Sequence, residues 1–423
     1  MGYTKSEDFT ASKGVDEKMN VLFLSLSFST ANHTSFYEDF LRKFSQNGHH
    51  VYVACANEKR STEKDGLEML GGLSVLRIRT GNITGNISLI EKGLSTLTID
   101  SLFLKAVIKE YGDIPFDLIM YPTPPITLVN TISAMKKRTG AKTYLLLKDI
   151  FPQNAVDLGM MSTTGPKRAL YEFFRRKEKK LYRISDYIGC MSQANVDYVI
   201  NHNPEVNPQK VEVCPNCVRV EDEMPNLMER NTEVRVKYGI PRDSVIFIYG
   251  GNLGKPQGID FLVQCLEKEK DNKKAFFLII GAGTEYHIIH SYIEHNSPSN
   301  VLLLDYLPKD EYQAIADQCD VGMIFLDHRF TIPNFPSRLL TYLKAAMPVL
   351  VVTDPVSDMG HIAETNGFGK WCESNDLDGF SEAVSVLVSS DRAEMGKKGW
   401  RFLKENYSLE NSYNIVIDHF SRQ

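Results

Sequence analysis

Short unbroken apolar runs recur along this chain, and most are followed by a helix-length stretch whose apolar residues fall three and four apart. Runs at 20–26, 50–54, 73–77, 118–121, 141–147, 187–191 and 211–213 read as strands, with a helix over 35–46 ended by Asn47-Gly48. A second series occupies 245–248, 276–280, 301–304, 321–325 and 348–352. Runs this apolar imply burial on both faces, hence parallel strands covered by helices. The predicted class is α/β, with two doubly wound Rossmann-like domains facing each other across a cleft.

At 423 residues the chain exceeds what one core usually organises, which agrees with two domains. The polar residues 1–18 read as a disordered leader, 19–218 as the first domain and 232–403 as the second. Between them the acidic, proline-bearing stretch 219–231 is the natural linker. A helical pattern over 395–420 breaks near Tyr407-Ser408, where Ser408 suits an N-cap and Glu410 a first-turn acid. The final helix, 404–423, is expected to cross back onto the first domain, although packing on the second fits the pattern too.

A net charge of −5 argues against general attraction to nucleic acid. No stretch approaches the ~20 apolar residues of a spanning helix, nor does the start carry a secretory signal, so a cytoplasmic location is expected. Seven cysteines are scattered, several in apolar runs. Cys214-Pro215-Asn216-Cys217 has the spacing of half a zinc site, but no second pair follows at a finger-like distance. No convincing Asp-x-Asp motif leaves a strand, so neither a metal nor any other cofactor is expected.

Glycine-marked strand exits in the second half carry the candidate chemistry. Gly250, Gly251 and Gly254 remove side chains where a diphosphate would approach the backbone, and Lys255 adds a cation; a plain tight turn would use the same glycines. Gly281 and Gly283 mark the next exit. Pro336-Ser337-Arg338 opens a helix, with Ser337 suited to cap it and Arg338 to grip phosphate in two-pronged fashion. An arginine there opposes the helix dipole unless an anion is near.

The second half resembles the nucleotide-sugar-binding domain of retaining GT-B glycosyltransferases (glycosyltransferase family 4-like), the family that includes bacterial capsule and lipopolysaccharide sugar transferases. The resemblance rests on Ile248 through Gly258, Ile279 through Glu285, the turn Asp305-Tyr306-Leu307-Pro308, and Phe335 through Leu350. In the first half, Leu147 through Asn154 is similar to a segment of bacterial amino-deoxy-sugar transferases such as N-acetylfucosamine transferases. The resemblance implies a donor site formed by Gly251, Asn252, Lys255, Gly281, Gly283, Leu307, Pro336, Ser337, Arg338 and Thr341. Departures accompany it. Many members carry two glutamates eight positions apart, the second holding ribose, where this chain has Pro333 and Thr341; the usual arginine and lysine of the first glycine turn are Asn252 and Gln257. Where some members have a histidine after the fourth strand, this chain has Lys148 followed by Asp149.

Asp149 therefore stands as a candidate to orient or deprotonate an acceptor or to stabilise positive charge at the sugar carbon, with the capping of the turn before Pro152 as its structural alternative. Lys148 suits phosphate or a pair with Asp149, and His33 is a third candidate in the loop after the first strand. Residues 82–86 and 95–100 read as a polar acceptor loop. The basic segment 167–183 presents Arg175, Arg176, Lys179 and Lys180, with Leu170, Phe173, Phe174, Leu181 and Tyr182 as an apolar face; it suits an anionic membrane surface or ordinary packing into the domain. The expected activity is metal-independent retaining transfer of an N-acetylated or deoxy sugar from a UDP-sugar to a polyprenyl-diphosphate-linked acceptor, at the inner membrane face, in surface polysaccharide assembly. The alternatives are a nucleotide-sugar epimerase of the same architecture and a non-catalytic sugar-nucleotide-binding protein.

Overall fold

The structure is a computed structural model that describes residues 18–30, 35–83, 89–225 and 233–420. Its first sheet contains β1 (Asn20–Ser25), β2 (His50–Glu58), β3 (Gly66–Leu70), β4 (Leu73–Thr80), β5 (Leu118–Thr123), β6 (Lys142–Leu147), β7 (Tyr187–Cys190) and β8 (Val211–Val213) in the order β3-β4-β2-β1-β5-β6-β7-β8. The second contains β9 (Val245–Asn252), β10 (Ala275–Ala282), β11 (Val301–Leu304), β12 (Val321–Phe325), β13 (Val349–Thr353) and β14 (Gly369–Glu373) in the order β11-β10-β9-β12-β13-β14. Every pairing is parallel except β3 with β4. Strands such as β5, β12 and β13 are buried at every residue, which is why their sequences are continuous rather than alternating.

Three features depart from the sequence reading. The edge strands β3 and β14 were not anticipated; β3 is largely exposed, and β14 carries Lys370 and Glu373 among its five residues. Residues 95–100 are not a loop but lie inside the Leu89–Tyr111 helix. Asp100 is buried there because its carboxylate accepts the amides of Asn130 and Thr131 at 3.0 and 2.9 Å, capping the Val129–Thr139 helix from outside. The polar residues serve packing. Residues 1–17 of the expected leader, residues 84–86 of the expected acceptor loop and residues 226–231 of the expected linker lie outside the described residues.

The C-terminal crossing occurs as expected. The Arg392–Asn406 helix packs Phe402 and Leu403 on the second domain. After a break at Tyr407, Ser408 accepts the Asn411 amide and opens the Leu409–Ile417 helix. That helix inserts Tyr413, Val416 and Ile417 into the first domain's core beside Phe44, and the Tyr413 hydroxyl meets His49 Nε2 at 2.9 Å. Val218 bridges to Ser408 and donates to the Tyr407 carbonyl at 2.9 Å, so the two passages between domains run side by side.

Candidate active site

In an open parallel sheet the natural binding crevice lies beyond the carboxyl ends of the strands, where the strand order reverses. In the second sheet that point separates β9 from β12. The two strands pair only at Val321–Phe247 and Gly322–Ile248 before they splay. Tyr342 fills the opening. Its ring occupies the space a side chain on Gly322 would need, and its fully buried hydroxyl reaches the Ile248 and Met323 carbonyls and the Gly250 amide at 3.2 to 3.3 Å. A side chain thus satisfies backbone groups that the ladder has abandoned.

Tyr342 fixes the Arg338–Lys344 helix, and one turn earlier on the same face stands Arg338. Its guanidinium lies over the Tyr249 ring, 4.3 Å from the centroid, while the Tyr249 hydroxyl donates to the Asn252 carbonyl. Gly251 has a φ of +126°, and a side chain built there would meet the Arg338 guanidinium at 3.3 Å. Arg338 Nη1 is buried and has no hydrogen-bond partner among the described residues. A buried cationic donor left unmatched is costly, and an incoming anion would remove that cost.

The remaining donor-site candidates have different duties. Asn252 donates to Gln257 Oε1 at 2.8 Å, so the two polar replacements of basic residues bind each other and hold the turn. Lys255 is exposed at the start of the Lys255–Gln257 turn, where its charge acts on Glu285; burial and nearby Asp260 raise the Glu285 pKa, and Lys255 works against that shift. Gly281 and Gly283 are packing glycines: a Cβ on either would stand about 2 Å from the Gly251 or Leu253 carbonyl. They let β10 press against the loop that presents Gly251. Leu307 packs against the domain core, and Thr341 lies half-buried in the Arg338–Lys344 helix beyond Pro336. Ser337 is not a side-chain cap, because its hydroxyl instead accepts from Asn216 of the first domain at 2.6 Å. The helix is only seven residues long, which leaves most of the anion-binding duty to side chains.

That Asn216–Ser337 bond belongs to a seam joining the carboxyl edges of both sheets. Asp157 accepts the Thr331 amide and hydroxyl at 2.8 and 2.9 Å, Asn195 donates to the Pro333 carbonyl at 2.6 Å, and Asp358 accepts the Ala194 amide at 3.0 Å. Ile150, Leu158, Leu326, Phe330 and Ile332 form an apolar cluster across the same seam. Pro333, standing where many relatives resembled by sequence carry an acid, here contributes a carbonyl to domain closure.

Comparison with known proteins agrees with this geometry. Residues 35–222 match the family Glycosyltransferase Family 4, and residues 230–401 match Glycosyl transferases group 1. The chain is a GT-B-type glycosyltransferase. It is 23% identical over 295 residues to the probable glycosyltransferase WbjE of Pseudomonas aeruginosa, an alignment spanning 69% of this chain and 71% of that protein. It is 23% identical over 210 residues to the Escherichia coli O-antigen biosynthesis glycosyltransferase WclY, covering 46% of this chain and 54% of that one. Anabaena HepE, solved in complex with UDP, shares the fold with a TM-score of 0.69 at 12% identity, over 96% of this chain and 100% of that chain. These names give the epimerase alternative no support.

On the facing edge of the glycosyltransferase, Asp149 follows β6. Its Oδ1 accepts from Asn154 Nδ2 at 2.9 Å, and its carbonyl accepts the Thr123 hydroxyl from the end of β5. Burial raises its pKa to about 6 despite the hydrogen bonds from Asn154 and the Ile150 amide. Lys148 does not pair with it; the ammonium donates to the Cys214 carbonyl at 2.9 Å, and burial lowers its pKa against the opposing pull of the neighbouring thiols Cys214, Cys217 and Cys190. All seven cysteines are buried thiols outside any disulfide. His33 lies outside the described residues.

The basic helix, Arg168–Ile184, divides its cations. Arg175 is not available to a membrane, since its guanidinium is held by Glu178 Oε2, the His202 carbonyl and Asn203 Oδ1. Lys179 pairs with Glu205 at 3.1 Å, whereas Arg176 and Lys180 are exposed, with Lys180 reaching Asn130 Oδ1 at 3.3 Å. Leu181 and Tyr182 are core residues and Phe174 packs on that core, while Leu170 is exposed near 49%. No helix among the described residues is long and apolar enough to cross a membrane. Motif reasoning missed Tyr249, Tyr342 and Asn216, whose partners or target strands lie far away in sequence.

Proposed function

We propose that this glycosyltransferase transfers an N-acetylated or deoxy sugar from a UDP-linked donor, with retention and without metal, to a polyprenyl-diphosphate-linked acceptor during surface polysaccharide assembly. The observation carrying the donor half is Arg338, a guanidinium held over Tyr249 with a buried donor awaiting an acceptor. Diphosphate oxygens supply that acceptor, and the charge that grows on the departing nucleoside diphosphate meets a preorganised cation, with the exposed Lys255 as a second one. Asp149, on the opposite edge, is ionised near neutral pH and available to stabilise developing positive charge or orient the acceptor hydroxyl.

The identification of UDP is supported by HepE, which shares the fold and was solved with that nucleotide. Polysaccharide assembly is supported by the name of WclY. The lipid-linked acceptor and attachment to the inner face of the membrane rest on the exposed Arg176, Lys180 and Leu170 of the basic helix. Retention and the class of sugar rest on the motif resemblance. A thermal-shift panel of nucleotides and nucleotide sugars tests the donor, because a ligand that binds only the folded chain raises its melting temperature. A UDP-sugar should raise it more than ADP- or GDP-sugars; no response to any sugar nucleotide at millimolar concentration overturns the proposal. Transfer of radiolabelled sugar into a lipid extract then distinguishes an enzyme from a binding protein.

A further inference from the structure

Among the buried polar atoms that lack partners in the described residues, two belong to residues next to Ser337, one bonded to its hydroxyl and one following it in the chain. Asn216, in the loop after β8, donates through Nδ2 to Ser337 Oγ at 2.6 Å, while its Oδ1 is buried and unmatched. Arg338, the chain neighbour of Ser337, has its unmatched donor in Nη1. Because Ser337 Oγ accepts from Asn216 and caps nothing, its own proton is free to point elsewhere. Asn216 thus offers an acceptor, Ser337 a hydroxyl donor and Arg338 a cationic donor.

We infer that Asn216 is a specificity-determining residue that reads the transferred sugar, an inference that rests on the donor reading above. A glycosyl diphosphate presents the complementary series. A sugar hydroxyl or acetamido N–H donates to Asn216 Oδ1, and the adjoining phosphate oxygens accept from Ser337 and Arg338. Asn216 comes from the first domain and the other two from the second, so recognition of the sugar also requires the domains to meet. The nucleoside diphosphate alone makes no demand on Oδ1. A site whose buried acceptor is matched only by the correct group discriminates strongly against ligands that lack it.

Calorimetric titration of the full chain with UDP, UDP-glucose and UDP-N-acetylglucosamine tests this on wild type, Asn216→Ala and Asn216→Asp. The expected result is UDP affinity in Asn216→Ala close to wild type, with the extra affinity conferred by the preferred sugar reduced about ten-fold or more. Asn216→Asp retains an acceptor oxygen and should keep more of the sugar preference than Asn216→Ala, while its added charge weakens UDP itself. It also serves if Asn216→Ala does not fold. Equal losses for UDP and UDP-sugar in Asn216→Ala would make Asn216 only a support for Ser337 and overturn the inference, as would an undiminished sugar preference. Either result leaves the donor reading standing. Failure of wild type to bind UDP or either UDP-sugar instead removes the donor reading and this inference together.

Discussion

Arg338 lies 4.3 Å from the centre of the Tyr249 ring, yet its Nη1 has no hydrogen-bond partner among the described residues. The ring attracts the charge by about 0.5–2 kcal/mol, but it leaves that N–H without an acceptor. Tyr249 thus positions the guanidinium while leaving its strongest interaction unused.

Arg338→Ala should accordingly weaken UDP binding by about 10- to 150-fold, the equivalent of roughly 1.5–3 kcal/mol for charge-assisted hydrogen bonds. Its melting temperature should stay level or rise, because a buried unmatched donor has gone. Arg338→Lys should not restore affinity, since an ammonium lacks the planar fork. Calorimetry with paired melting curves decides the matter. Intact affinity in a strongly destabilised Arg338→Ala protein would make the residue structural.

Tyr342→Phe isolates the hydroxyl that bridges β9 and β12. Removing it strands the Gly250 amide and two carbonyls in a fully buried place, for an expected loss of about 1–3 kcal/mol. UDP affinity should fall as well, because Tyr342 anchors the helix that carries Arg338. Urea denaturation and calorimetry measure the two effects separately; a stable variant with weaker UDP binding, or the reverse, would break the proposed link between them.

The strands readable in the sequence were those buried on both faces, where every residue answers to the same constraint. β3 escaped because an exposed antiparallel edge needs little apolar sequence, and β14 because Lys370 and Glu373 interrupt its run. Asp100 resembled a loop residue since the amides it caps belong to another helix. At the site, the glycine turns and Arg338 were visible as a local motif. Asn216 was not, because the hydroxyl it binds is 121 residues away and only the closed seam brings them together.

The basic helix should lose different properties at different cations. Arg175→Ala breaks a largely buried pair with Glu178, so it should cost about 3 kcal/mol of stability whatever surface the helix faces. Neutralising Arg176 and Lys180 together should leave the melting temperature nearly unchanged and reduce sedimentation with phosphatidylglycerol vesicles, most visibly at low salt. Unchanged sedimentation of that double variant would end the membrane assignment for this helix.

Asp149 gives opposite signs for stability and activity. Its folded-state pKa of about 6 lies above the ordinary 3.8, so between those values the native protein holds a proton that the unfolded chain releases. The carboxyl group therefore subtracts stability as pH rises from about 4 to about 6, and the full penalty remains above that. The amide introduced by Asp149→Asn does not titrate, which means the melting temperature of that variant relative to wild type should increase from pH 4 to pH 7. Turnover should move the other way: wild type should gain activity through pH about 6 as the carboxylate forms, and Asp149→Asn should be slower by about 100-fold or more with UDP affinity near wild type. Full turnover in that variant, together with the predicted rise in stability, would show that Asp149 organises the turn before Pro152 and takes no part in transfer.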